Sequence, residues 1–170
     1  DSYKKYNATS VVAYVANSDK VCAYGSVGYA QVKGQEPEFD GNGRLHMGSN
    51  TKSMTVSLIA ILLENNLVEG ASSGWNSTLG EVFPDLAAGT YYADVTLAAL
   101  ASHFSGLPAN YDMWAFYYAN GGKDSLVEQR RHIAAQGFAT PPAVEPGSAF
   151  LYSNWGLVIL GHLAERSLDM

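Results

Sequence analysis

Apolar and polar positions divide the chain into an extended beginning and a helical remainder. β-Branched and aromatic residues fill 10–16 and 21–32, and the polar run NSDK at 17–20 between them is typical of a tight turn. This pattern predicts a β-hairpin. Residues 35–44 are polar and rich in glycine, which predicts a loop.

Longer apolar runs, bounded by capping and turn residues, predict the helices that follow. We expect helices near 50–66, 97–103, 111–118, 125–136 and 155–167, and irregular connections at 67–88 and 139–148. The helices at 50–66 and 155–167 are apolar on nearly every face, so both are expected to be buried. A hairpin followed only by helices predicts an α+β fold whose antiparallel sheet is unfinished.

The sequence GSNTK at 48–52 opens the first long helix and brings a hydroxyl and an amine together. Ser49 and Lys52 are three positions apart, so they share one face of the first helical turn. A lysine there is placed to take the serine proton, and a hydroxyl beside such a base is the minimal activated nucleophile. Alternatively, Ser49 is an ordinary helix N-cap and Lys52 is solvated. Ser2 and Lys5 repeat the spacing, but no apolar helix follows them.

Tyr152 and Asn154 form a second polar pair, directly before the last helix. Residues two apart in an extended segment point the same way, so both side chains are expected to face one cavity. A phenol near a cation ionises more easily and can serve as acid or base, and an amide can orient a substrate carbonyl. Alternatively, Tyr152 is a core residue and Asn154 a helix N-cap. Tyr118 and Asn120 repeat the spacing, but two glycines follow, which indicates a helix end.

Length and charge narrow the class of protein. A chain of 170 residues fits one domain with a substantial core. The net charge is −6 and lysine and arginine form no cluster, which excludes a nucleic-acid-binding surface. The apolar run at 53–63 is too short to cross a bilayer. Cys22 is the only cysteine, so it cannot form an internal disulfide.

Three segments, taken in order, resemble the serine hydrolases that share the fold of penicillin-binding proteins and class C β-lactamases. They are MGSNTK at 47–52, VTL at 95–97 leading into LASHFSGLP at 100–108, and PG at 146–147 followed by YSN at 152–154. That family also includes DD-peptidases, D-amino-acid peptidases and β-lactamase-like carboxylesterases. Each short motif is weak alone, but three in the right order are a strong signal.

The resemblance implies a role for each matching residue. Ser49 would be the nucleophile, Lys52 its base partner, Tyr152 the general acid or base, and Asn154 a residue that positions the substrate. His103 is expected to be structural, because a lone histidine at a helix end usually satisfies a local hydrogen bond. The motifs do not decide whether Lys52 or Tyr152 deprotonates the serine. No metal and no cofactor are expected.

The chain also departs from the family pattern. The family's third motif, Lys-Thr-Gly or His-x-Gly on a strand facing the nucleophile, has no match after Asn154. We therefore expect the N-terminal part of a longer enzyme, partnered by the missing C-terminal part of the same protein. Its expected parts follow the motifs: sheet strands at 1–48, a nucleophile helix at 49–66, a mainly helical subdomain at 67–150, and the second motif with its helix at 151–170.

A local departure bears on the substrate. Leu45 and His46 stand where class C β-lactamases tend to have an aromatic residue and a glutamate, which favours the esterase and peptidase branch. The predicted function is a serine hydrolase that acts through an acyl-enzyme on a small-molecule ester, peptide or amide. The alternatives are a non-catalytic binding protein of the same fold and a β-lactamase proper. A secreted or periplasmic location is implied.

Burial supplies one further expectation. Residues 10–32 are the only segment predicted to form β-sheet, yet the apolar surfaces of the helices at 50–66 and 155–167 both have to be buried. We expect an exposed apolar patch made by the open edge of the hairpin and one face of the helix at 155–167, because contiguous apolar surface of that kind marks a missing partner.

Overall fold

Two compact units, residues 1–47 and residues 48–170, make up the chain in a computed structural model. The structure describes residues 5, 8–29, 40, 46–110 and 124–169. The predicted helix at 111–118, with Tyr118 and most of the predicted loop at 35–44, lies outside the described residues.

The first unit contains the predicted hairpin. Strands β1 (Ser10–Ala16) and β2 (Val21–Gly28) pair antiparallel, with Tyr14 opposite Tyr24. Asn17 closes the turn, because its side-chain oxygen accepts the backbone N–H groups of Asp19 and Lys20 at 3.0 and 2.9 Å. Strand β2 is described as far as Gly28, and residues 30–32 of the predicted strand lie outside the described residues.

The hairpin leaves its large apolar side chains exposed. Those more than two-fifths exposed are Val11, Tyr14, Val15, Val21, Tyr24 and Val27. Side chains alternate between the two faces of a strand, so both faces of this two-stranded sheet carry apolar surface. The hairpin half of the expected apolar patch is confirmed.

The second unit contains helices, joined by loops and by one antiparallel bridge between Thr78 and Thr96 in the part that the structure describes. Its helices are α1 (Thr51–Glu64), α2 (Leu79–Val82), α3 (Leu97–Ala101), α4 (Leu126–Ala139) and α5 (Asn154–Ser167). The predicted irregular region at 67–88 thus holds a 3₁₀ turn, Gly74–Asn76, and the short helix α2. Its sequence signal is a capping box, in which Thr78 accepts the Glu81 backbone N–H while the Glu81 carboxylate accepts the Thr78 backbone N–H.

Helix α5 lies at the centre of the core, and α1, α3 and α4 pack against it. Trp155, Ile159, Leu160 and Leu163 on α5 are all at most 5% exposed. The prediction that this helix is buried is confirmed, and the prediction that one of its faces belongs to an exposed apolar patch is wrong. The helices α1, α3 and α4 all pack against α5, so together they cover its apolar surface.

Helix α1 shows the opposite departure. Only Ile59 and Leu62 on it are buried, whereas Met54, Leu58 and Ile61 are 57%, 39% and 55% exposed. The prediction that α1 is buried on all sides is therefore wrong. Its exposed apolar residues follow a spacing of four and three, which places them in one stripe along the helix.

Close contact between α4 and α5 depends on a glycine. A Cβ atom added at Gly137 would stand 2.7 Å from the Trp155 indole nitrogen. That nitrogen donates a 2.8 Å hydrogen bond to the Ile133 carbonyl, one turn earlier on α4. The indole is thus fixed against the α4 backbone. No helix among the described residues is both long and apolar enough to cross a membrane.

Candidate active site

Ser49 lies in a single 3₁₀ turn, Gly48–Asn50, that leads into α1. Gly48 adopts φ 54°, a left-handed conformation that glycine adopts without strain. The residue in the N-cap position of α1 is Asn50, and its side chain makes no capping hydrogen bond. The alternative in which Ser49 serves as the N-cap is therefore wrong, and its exposed hydroxyl is available for other contacts.

Two side chains converge on that hydroxyl. Lys52 Nζ donates to Ser49 Oγ at 3.2 Å, and Tyr152 Oη donates to the same oxygen at 2.7 Å. Lys52 Nζ also lies 5.0 Å from the centre of the Tyr152 ring. The structure thus brings Ser49, Lys52 and Tyr152 together, although residue 152 is more than a hundred positions away. The predicted proximity of Ser49 and Lys52 is confirmed, and the chemical roles of the three groups stay a prediction.

The ionisation of Tyr152 reflects this contact. Its pKa is lowered from the ordinary value of 10.0, first by the hydrogen bond from Lys52, then by the hydrogen bond with Ser49, and further by the charge of Lys52. A lowered pKa favours the phenolate, which is the proton-accepting form. Tyr152 is 39% exposed, so it is not the buried core tyrosine of the alternative interpretation.

Asn154 is placed beside this group by the start of α5. It is the first residue of the helix, and the N-cap is Ser153, whose hydroxyl accepts the Gly156 backbone N–H at 3.3 Å. The interpretation of Asn154 as the cap is therefore wrong. Asn154 Nδ2 donates to Asn110 Oδ1 at 2.7 Å, which fixes the orientation of the amide.

An open cavity of about 460 Å³ adjoins the group. Lys52 and Asn154 line it together with Asn110 and Arg130. A larger cavity of about 580 Å³, beside Asp85 and Arg166, contains none of the predicted site residues. The smaller cavity is therefore the one that two of the predicted site residues, Lys52 and Asn154, line.

Sequence reasoning missed the contact between Asn110 and Asn154. No motif marks this residue, which directly follows the segment at 100–108 and lies 44 positions before its partner Asn154. Only the fold brings the two amides together. Among the described residues, no group of three or more histidine, cysteine, aspartate or glutamate side chains could hold a metal ion.

Solved structures confirm the predicted fold. The chain is similar to a D-amino acid amidase from Ochrobactrum anthropi SV3 solved with L-phenylalanine amide, with a TM-score of 0.72 and 21% identity. It is also similar to a β-lactamase/D-alanine carboxypeptidase from Pseudomonas syringae, with values of 0.68 and 19%. A class C β-lactamase from Rhodobacter sphaeroides is similar to the chain with a TM-score of 0.67 and 20% identity. Likeness at these identities concerns the fold alone.

Coverage differs between the two sides of each comparison. In all three, 99% of this chain is matched, but the chain spans only 43%, 42% and 42% of the respective structures. No curated protein sequence matches the chain. The family model described as Beta-lactamase matches residues 1–170 in full. The chain therefore belongs to the Beta-lactamase family, as its three motifs predicted.

Proposed function

We propose that the chain carries the nucleophile and the proton-transfer groups of a serine hydrolase that acts through an acyl-enzyme. The observation that carries the proposal is the pair of hydrogen bonds to Ser49 Oγ, one from Tyr152 at 2.7 Å and one from Lys52 at 3.2 Å. A nucleophilic hydroxyl needs a base within hydrogen-bond reach, and this serine has two such groups.

The proposed reaction has two steps. Ser49 Oγ attacks the substrate carbonyl carbon, and its proton passes to Tyr152 or Lys52. The same group then returns that proton to the leaving oxygen or nitrogen, which departs and leaves an acyl ester on Ser49. Water adds to this ester in the second step, releases the acid and restores the serine hydroxyl. Asn154, at the edge of the 460 Å³ cavity, orients the acyl group.

The proposed substrate is a small-molecule ester, peptide or amide. An amidase and a carboxypeptidase among the similar structures support this substrate class, and the residues before Gly48 favour it over a β-lactam. The proposed partner is the C-terminal part of the same protein, with a Lys-Thr-Gly or His-x-Gly strand that faces Ser49. The exposed apolar stripe on α1 supports that partner. A secreted or periplasmic location is part of the same proposal.

Covalent labelling tests the assignment of the nucleophile. A fluorophosphonate probe should form one adduct, and mass spectrometry of the digested protein should place it on Ser49. Ser49→Ala should abolish the adduct, whereas Ser53→Ala, at another exposed serine on the same helix, should leave it unchanged. The proposed C-terminal partner would supply an oxyanion-hole donor, and one such donor is worth about 10²–10³ in rate, so the chain without that partner should react slowly.

The outcomes separate the alternatives. An adduct that persists in Ser49→Ala would contradict the nucleophile. Saturable binding of an ester or amide without any adduct, in the chain and in a longer protein that contains it, would favour the non-catalytic binding protein. Rapid turnover of a fluorescent penicillin would favour a β-lactamase.

A further inference from the structure

His103 contacts the segment that carries Tyr152 at several points. The Leu151 backbone N–H donates to the His103 carbonyl at 2.9 Å, and the Ser153 backbone N–H donates to His103 Nδ1 at 3.1 Å. One residue therefore holds the backbone on both sides of Tyr152. The His103 and Tyr152 rings also lie in contact, with centres 4.6 Å apart.

The backbone of His103 makes this double contact possible. Its φ is 66°, in the left-handed region that residues other than glycine seldom adopt. The turn after α3 thereby presents both the carbonyl and the ring to the same segment. Backbone strain of this kind persists only where the surrounding structure fixes it, and it is frequent at functional sites.

The ring can accept the Ser153 N–H only when it is neutral. Because Nδ1 is the acceptor, the proton of the neutral ring lies on Nε2. Protonation would place a second N–H on Nδ1, facing the N–H of Ser153, and the bond would break. The charged or titratable groups that face the ring among the described residues are Lys52, on α1, and Tyr152.

We infer that His103 is a positioning residue for Tyr152, and that its neutral ring keeps the Tyr152 phenol on Ser49. This inference rests on the proposed function for its effect on catalysis, but the positioning itself is independent of activity. Burial first, and the charge of Lys52 second, lower the pKa of His103 from its ordinary value of 6.5. The ring therefore stays neutral at neutral pH, and the segment is released only at a pH below 6.5.

Two substitutions separate the ring from the backbone. His103→Gly keeps the positive φ and removes the acceptor. His103→Asn also tolerates positive φ, and its side-chain oxygen takes the place of Nδ1 without a charge change in this pH range. Asn66→Gly is the matched control, because Asn66 also has a positive φ, of 54°, and lies outside the site. Circular dichroism and thermal unfolding select variants that remain folded.

The first measurement needs no activity. Carbon NMR of ring-labelled tyrosine, assigned with Tyr152→Phe, gives the pKa of Tyr152 in each protein. We expect a lowered pKa in wild type, in Asn66→Gly and in His103→Asn, and a return toward 10.0 in His103→Gly, because the phenol then leaves Lys52 and Ser49. An unchanged pKa in His103→Gly, or equal effects of the asparagine and glycine variants, would overturn the inference.

The second measurement is the rate of fluorophosphonate labelling against pH. At pH 8, His103→Gly should label roughly tenfold to a hundredfold more slowly than wild type, the cost of a misplaced catalytic group, and His103→Asn should restore most of the rate. Below pH 6.5 the labelling rate of wild type should fall more steeply with pH than that of His103→Asn, because only wild type also protonates residue 103. The same acid loss in both proteins would overturn the pH effect. Absent labelling in wild type, with the NMR result as expected, would reject the proposed hydrolase and leave the positioning intact.

Discussion

At the scale of single residues, the direction of one hydrogen bond depends on the charge of Tyr152. A neutral phenol donates to Ser49 Oγ, as the structure has it, and such a phenol cannot accept the serine proton. A phenolate reverses the bond and becomes the base. Lys52, whose hydrogen bond is the first cause of the lowered Tyr152 pKa, would thus contribute to the proposed reaction even if it carried no proton away.

Lys52→Met tests this dependence. The substitution removes the hydrogen bond and the positive charge, so the pKa of Tyr152 should rise toward 10.0. The phenolate fraction at neutral pH then falls, and the labelling rate of Ser49 should fall by about 10²–10⁴, the usual contribution of a general base. The midpoint of the rate against pH should move upward, because the active form is the deprotonated one.

Lys52→Arg is the control for charge. It keeps a positive group near Tyr152, so the midpoint should stay below that of Lys52→Met. A rate that falls at every pH with an unchanged midpoint would instead identify Lys52 as the group that takes the serine proton, and would contradict the phenolate as base.

At the scale of elements, capping residues and periodicity predicted most helices within a few residues. Ser125 caps α4 through a capping box, and the predicted start of that helix agrees with Leu126. Burial was harder, because α1 and α5 are similarly apolar in sequence yet differ in exposure. The apolar content of a helix indicates that it must pack against another element, but only tertiary contacts determine which of its faces is covered.

The residues of the candidate site also differ in how far the sequence predicted their contacts. Ser49 and Lys52 are local neighbours on one helical turn, so their contact follows from spacing alone. The spacing of Tyr152 and Asn154 marked Tyr152 as a candidate, but its place in one site with Ser49 came from family resemblance, since no physical rule joins residues a hundred positions apart. Asn110 had no signal at all, because a hydrogen bond between two distant asparagines depends on the folded chain.

Gly137→Ala tests the contact between α4 and α5. Alanine favours a helix over glycine by about 1 kcal/mol, but here its Cβ would meet the fixed Trp155 indole at 2.7 Å. Overpacking should prevail, and the free energy of unfolding in urea should fall by about 1–3 kcal/mol. Gln136→Ala, at an exposed position of the same helix, should change it by less than about 0.5 kcal/mol. A more stable Gly137→Ala would show that the indole moves without cost.

At the scale of the whole molecule, the two units differ in how well they bury apolar surface. Residues 48–170 have a core around α5, with Leu79, Phe83 and Leu97 fully buried beside it. The hairpin has none of its described residues buried. A two-stranded hairpin is marginally stable by itself in water, so its β-branched and aromatic residues are suited to a larger sheet.

Exposed apolar surface of this kind can be measured with the dye ANS, whose fluorescence rises on such surface. We expect the chain to bind ANS in its folded state. Tyr14 and Tyr24 are paired across the strands and are 70% and 66% exposed, so replacing both with threonine, which also favours strands, should lower the signal. Tyr91→Thr, at a tyrosine 63% exposed in the other unit, should change it much less, because the hairpin pair lies among four exposed valines. If the folded chain gave no ANS fluorescence, or if the two variants lost equal signal, the hairpin surface would be covered in solution. The exposed surface would then no longer support the proposed partner.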